Sequence, residues 1–159
     1  MKILIIYSTD NGTTKKCANL LREKLGNEVD VVNLADYTDI DMNEYDTIVI
    51  GASIHMGSIQ KKMKRFLENN EESLLKQNLA LFICCGRPEN IDEYFEREFP
   101  HSLTNHAFAK INMGYSYDFD DLNFMKKMII KKVAGIDDSQ DRINYRNIDK
   151  LADMIRNNA

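Results

Sequence analysis

Short apolar runs alternate along this chain with stretches whose apolar residues recur at helical spacing. Residues 3–7, 29–32, 47–50 and 79–85 read as strands, and a weaker fifth run covers 107–113. The first, third and fourth are apolar on both faces, as expected of strands buried between two layers of helices. Cys17, Ala18, Leu21 and Leu25 form one helical stripe; Ile59, Met63, Phe66 and Leu67 form a second. Leu122, Met125, Ile129 and Val133 form a third, and Ile148, Leu151, Ala152 and Ile155 a fourth. Each spacing puts its residues on one face of an amphipathic helix, so all four stripes are candidate core. Residues 92–99 read as a further short helix, stopped by Pro100. Strands alternating with helices predict an α/β fold, with right-handed crossovers and a parallel sheet covered on both faces. Residues 36–46 hold five acids and no base where a helix is expected, and read as a solvated, irregular crossover.

At 159 residues the chain is expected to form a single domain over 1–159 and to bury a sizeable core without staples. Its net charge of −4 and pI near 5.4 lack the basic footprint of a nucleic-acid binder. No apolar run approaches the roughly 18 residues of a membrane span. The N-terminal apolar run is too short for a signal peptide. Three cysteines at spacings unsuited to a metal point to a reducing compartment, and a cytoplasmic location is expected.

In an open parallel sheet, ligands bind beyond the carboxyl ends of the strands. After the first strand come Ser8, Thr9, Asp10, Asn11, Gly12, Thr13 and Thr14, leading directly into a helix. Hydroxyls, a glycine and free amides at a helix N-terminus make an anion site. This loop has no Lys or Arg, so it would hold a phosphate by dipoles and hydrogen bonds alone; Lys15 and Lys16 are expected to stay solvated. An ordinary Thr or Asn helix cap is the plainer alternative. A P-loop and a dinucleotide glycine motif are both absent. A phosphorelay receiver would need Asp at the end of the third strand, where Gly51, Ala52 and Ser53 stand. Three loops meeting at one sheet edge, the first suited to phosphate, suggest a mononucleotide cofactor. His55 is open between flavin tuning and an exposed loop position; His101 and His106 read as surface residues. Met125, Met128 and their isoleucine neighbours read as core, and Lys126, Lys127, Lys131 and Lys132 as a solvated helix face.

STDNGTT after the first strand and GASIHMG after the third resemble the flavodoxin-like family. More narrowly, GASIHMGSIQKKMKRFLENN and GYSYDFDDLNFMKKMIIKKVAG are similar to the menaquinone-dependent protoporphyrinogen dehydrogenases, flavodoxin-fold enzymes of haem synthesis. The resemblance implies a three-layer α/β/α sandwich with a five-stranded parallel sheet in the order 2-1-3-4-5, binding one FMN. It puts the FMN phosphate on the loop from Ser8 to Thr14, Asp10 included. Ala52, Ser53, Ile54, His55, Met56 and Gly57 would lie beside the ribityl chain and ring, and Cys85, Gly86 and Arg87 along the opposite ring edge. Gly57 would let its peptide turn a carbonyl toward the flavin. Neither ring-flanking loop carries a Trp or Tyr, so Met56, His55 or Tyr115 would cover the ring. The implied function is an electron-transfer protein cycling the flavin between oxidised, semiquinone and hydroquinone states. The alternative is menaquinone-dependent oxidation of protoporphyrinogen IX. The implied partners are redox proteins or a quinone, with at most peripheral membrane contact.

Overall fold

The computed structural model describes residues 1–36, 39–117, 124–134 and 140–158. Five strands, β1 (Ile3–Tyr7), β2 (Val29–Asn33), β3 (Thr47–Ser53), β4 (Asn78–Cys84) and β5 (Ala109–Asn112), pair in the order β2-β1-β3-β4-β5. Every neighbouring pair in this sheet is parallel. Both faces of the central strands are covered, which is why β1 is apolar at every position and buried throughout.

The pleat sends alternate residues to opposite layers. Ile3, Ile5, Val49 and Phe82 pack with α1 (Thr13–Leu25) and α7 (Tyr145–Asn157) through Cys17, Leu21, Leu151 and Ile155. Leu4, Ile6, Ile50 and Leu81 pack on the other side with α2 (Lys61–Asn69), α3 (Glu71–Leu74), α4 (Ile91–Glu98) and α5 (His101–His106). The first, second and fourth helical stripes are thus core, with two details added. Ile59 is buried but precedes α2, and Leu25 packs at the edge of its cluster. The chain leaves β1 for the α1 layer and β3 for the α2 layer. A topological switch point therefore opens between their carboxyl ends. Gly51 stands there because the Phe82 ring fills its side-chain space; a Cβ would lie 2.1 Å from that ring.

Two expectations need correction, those for the third stripe and for the acidic crossover, and two features are new. The third stripe is not core: on α6 (Phe124–Ala134), Met125 is 72% and Val133 48% exposed, and Met128 is exposed as well. Leu122 lies outside the described residues. An antiparallel hairpin of β6 (Gly114–Tyr117) and β7 (Gln140–Ile143) follows the fifth strand, a pairing that local periodicity did not announce. Gly114 permits it, because a Cβ there would meet the Arg142 carbonyl oxygen at 2.2 Å. The acidic crossover holds 3-10 turns at Leu34–Asp36 and Met42–Glu44, as an irregular segment should, yet it is not simply solvated. Met42 and Tyr45 are buried against the core. Finally, α4 stops before Pro100 as expected, and Pro100 is also the N-cap residue of a further short helix, α5.

Candidate functional site

The loop after β1 meets the switch point. Ser8 donates its backbone amide to the Gly51 carbonyl at 3.0 Å, so the first and third loops start from one level. Thr9 Oγ1 accepts the Gly12 amide at 2.9 Å, folding the loop into a tight turn. Gly12 has φ 85 and would have open space at its Cβ, so backbone conformation rather than crowding requires glycine there. Gly12 is the N-cap of α1, and no side chain caps the helix, which removes the plainer reading of the loop. The first intrahelical bond runs from the Lys16 amide to the Gly12 carbonyl at 3.1 Å. The amides of Thr13, Thr14 and Lys15 are left with no intrahelical acceptor and form a positive rim. No acid occupies the first turn of α1.

Within this loop the hydroxyls differ. Thr14 Oγ1 is buried without a hydrogen-bond partner, although the Cys84 thiol stands close enough to feel it. Thr13 Oγ1 is already used, donating to the Ser116 carbonyl at 2.6 Å and so tying α1 to β6. Ser8 donates to Gln60 Oε1 at 2.7 Å. Gln60 Nε2 in turn reaches Asp10 Oδ2 at 2.9 Å and Ser53 Oγ at 2.5 Å. Gln60 thus joins the first and third loops, a role that residue type alone did not signal. The fold also brings a cation that the loop lacks. Lys126 Nζ donates to the Asp10 carbonyl at 2.8 Å from a helix remote in sequence. Lys16 is not free: it pairs with Asp141 at 3.2 Å, both half-exposed. Lys15 is exposed as expected.

The third loop is a two-residue turn. His55 and Ser58 exchange backbone bonds at 2.9 and 3.1 Å, and the residues between them, Met56 and Gly57, have φ 50 and φ 81. Positive φ at both central positions is the type I′ signature, tolerable for Gly57 and strained for Met56. One buried carboxylate braces this turn. Glu98 accepts from Ser58 Oγ at 2.6 Å, the Ile59 amide at 3.1 Å, Lys64 Nζ at 2.8 Å and Arg97 Nε at 2.9 Å. Burial alone would push its pKa up, but the bonds from Lys64, Ser58, Arg97 and the Ile59 amide outweigh that. They hold the carboxyl near 2, against an ordinary 4.5. Arg97 also donates to the Gly57 carbonyl. His55 is half-buried and Met56 is 70% exposed.

The fourth loop is held by Asn112 at the end of β5. Its Oδ1 accepts the Cys85 and Gly114 amides, and its Nδ2 donates to the Cys85 carbonyl, each at 3.1 Å. Cys85 is buried, and burial pushes its thiol pKa up, which favours the protonated thiol. Gly86 and Arg87 are exposed. The Tyr115 ring lies over Gly86, where a Cβ would be 3.1 Å away. Asn112→Leu should lower unfolding free energy by about 3 kcal/mol, because buried Cys85 and Gly114 backbone groups lose their partners. Urea melts test this; a loss below about 1 kcal/mol would show that the loop re-pairs elsewhere.

Thr9, Asn11, Thr13, Ser53, Ile54, His55, Cys84, Gly86 and Tyr115 line one cleft at this sheet edge. Parts of all three expected loops converge on it, together with Tyr115. Asp10, Met56 and Arg87 are exposed around the three loops. A wider depression lined by Met1, Lys2, Glu28, Asp30 and Asp46 lies at the amino-terminal edge, the wrong end of a parallel sheet for a ligand. His101 and His106 stay at the surface. His101 pairs with Glu96 at 3.2 Å, a partner not expected from spacing, and His106 Nε2 lies 2.8 Å from the Gln77 carbonyl.

The model of the Flavodoxin domain family matches residues 4–144. This chain belongs to the flavodoxin domain family. It is similar to the protoporphyrinogen IX dehydrogenase [quinone] of Escherichia coli (strain K12), at 26% identity over 98% of this chain and 93% of the relative. Among solved structures, a short-chain flavodoxin associated with a non-canonical PDU bacterial microcompartment superposes with TM-score 0.66 at 13% identity, covering 100% of this chain and 99% of that one. A flavoprotein from Lactobacillus acidophilus NCFM, solved in complex with FMN, superposes with TM-score 0.52 at 19% identity, covering 71% and 90%. As a flavodoxin domain this is an FMN-binding redox protein. The uncapped helix end and the orphaned Thr14 hydroxyl fit a phosphate ester. No described helix is long and apolar enough to cross a membrane.

Proposed function

We propose that the chain acts as a single domain over 1–159, holding the FMN phosphate between Ser8 and Thr14 and the ring between residues 52–57 and 85–87. The observation that carries this reading is the α1 N-terminus, with three amides that have no intrahelical acceptor, no capping side chain and no acid in its first turn. Thr14 Oγ1 has a proton to give, and so has Thr9, whose oxygen is engaged only as an acceptor from Gly12. Bound FMN would supply one- and two-electron transfer. Gln60 keeps the phosphate loop and the β3 loop at a fixed separation, while Glu98 and Asn112 brace the loops on either side of the ring. Tyr115 is the aromatic side chain best placed to lie against it.

We read the protein as an electron carrier of the cytoplasm. Three unbridged, buried thiols support a reducing compartment, and the net charge of −4 suits docking to basic redox proteins. Likeness to the quinone-linked dehydrogenase along 98% of the chain favours a second reading, transfer of electrons from protoporphyrinogen IX to menaquinone. Three measurements decide. The purified protein should be yellow and release one FMN per chain. Supplied with protoporphyrinogen IX and a menaquinone analogue, it should form no fluorescent porphyrin. A reductase of basic surface should reduce it more slowly as salt rises. Menaquinone-dependent porphyrin formation lost on removing FMN would establish the second reading instead.

A further inference from the structure

Among the described residues, four of the large apolar side chains turned to solvent lie on α6: Phe124 is 75% exposed, Met125 72%, Met128 57% and Val133 48%. Ile130 is its buried anchor. The same helix carries Lys126, Lys127, Lys131 and Lys132 and no acid, within a chain of net charge −4. Phe124 and Met128 are one turn apart, and Lys131 and Lys132 continue their row, so apolar bodies and cationic heads share one outward surface. A helix packed only for solubility would not present this combination. We propose that α6 docks this protein flat on an anionic lipid surface, with Phe124, Met125 and Met128 entering the acyl boundary and Lys131 and Lys132 meeting the headgroups.

Three features favour lipid over a protein groove. At 11 residues the helix is about 16 Å long, too short to span a bilayer but ample to lie in its interface. Lysine stems can lie along an apolar surface while their ammonium heads stay at headgroup level. Apolar insertion and a basic cluster are the two signals that together give stable peripheral binding, and the positive charge sits where the rest of the chain is acidic. Lys126 bonds to the Asp10 carbonyl, so docking would set the cofactor cleft beside the bilayer. The proposal does not rest on the flavin reading, because its readout is lipid binding.

The protein as purified should sediment with phosphatidylglycerol vesicles and not with phosphatidylcholine vesicles. Partitioning should fall steeply as salt rises past about 0.1 M. Met125→Glu with Met128→Glu, and Lys131→Gln with Lys132→Gln, should each reduce partitioning at least about fivefold, leaving the melting temperature and cofactor content unchanged. The chain has no tryptophan, so Phe124→Trp supplies a single reporter whose emission should shift to the blue on phosphatidylglycerol vesicles. That shift reads α6 directly even if a charge variant folds poorly. Absent sedimentation, undiminished binding of both double variants, or unshifted emission would overturn the proposal. Capture of a partner protein without vesicle binding would overturn it equally.

Discussion

Glu98→Gln is expected to lower the unfolding free energy at neutral pH by about 2 kcal/mol and to flatten its fall in acid. The carboxyl titrates near 2 in the folded protein and near 4.5 when free of its partners. Between those values the unfolded chain binds a proton that the native carboxylate refuses. The stabilisation is therefore complete above about pH 4.5 and lost as pH falls through about 2. The full difference would exceed 3 kcal/mol, but the Lys64 and Arg97 side chains are 37% and 48% exposed, and solvent screening reduces it to about 2. Glutamine keeps the shape and removes the charge, so the change isolates electrostatics from packing. Urea unfolding of both proteins across this pH range measures it. Parallel profiles would show that Glu98 does not govern the acid limb.

Changing Thr9 and Thr14 together to alanine should weaken FMN binding at least tenfold while riboflavin binding changes little. Each hydroxyl offered to a charged phosphate is worth about 1.5 kcal/mol or more. The two losses differ in their side effects. Thr14 gives up no more than its contact with the Cys84 thiol, since its buried hydroxyl has no other partner. Thr9 gives up the Gly12 amide, which loosens the loop as well as removing a donor. Fluorescence titration with both ligands separates the phosphate contribution from the ring. Equal losses for FMN and riboflavin would move the phosphate away from this loop.

Much of this protein was legible along the chain. The central strands are apolar on both faces because helices cover both faces, and that pattern is local to each strand. The polar loop between β1 and α1 was legible for a similar reason: a run of small polar residues between an apolar run and a helical stripe marks where a strand hands over to a helix. The neighbours of those loops were not. Gln60 reads as any residue before a basic helix, yet it joins Ser8, Asp10 and Ser53. Glu98 reads as the tail of a charged helix, yet it is buried beneath the 55–58 turn. Asn112 closes a strand and holds a loop 27 residues earlier.

Periodicity also failed where it depended on an unseen neighbour. The stripe through Met125 and Val133 has core spacing, but spacing only says which residues share a face. Whether that face is covered depends on what packs there, and Phe124, Met125, Met128 and Val133 of α6 are left exposed. Local sequence by itself determined the five strands of the parallel sheet and their alternation with helices, because those follow from steric preference and hydrophobic period within a few residues. Tertiary structure alone decided which polar side chains brace the site and which apolar face stays open. Those outcomes depend on contacts between residues tens of positions apart, where the partner sets both the burial and the charge that each side chain meets.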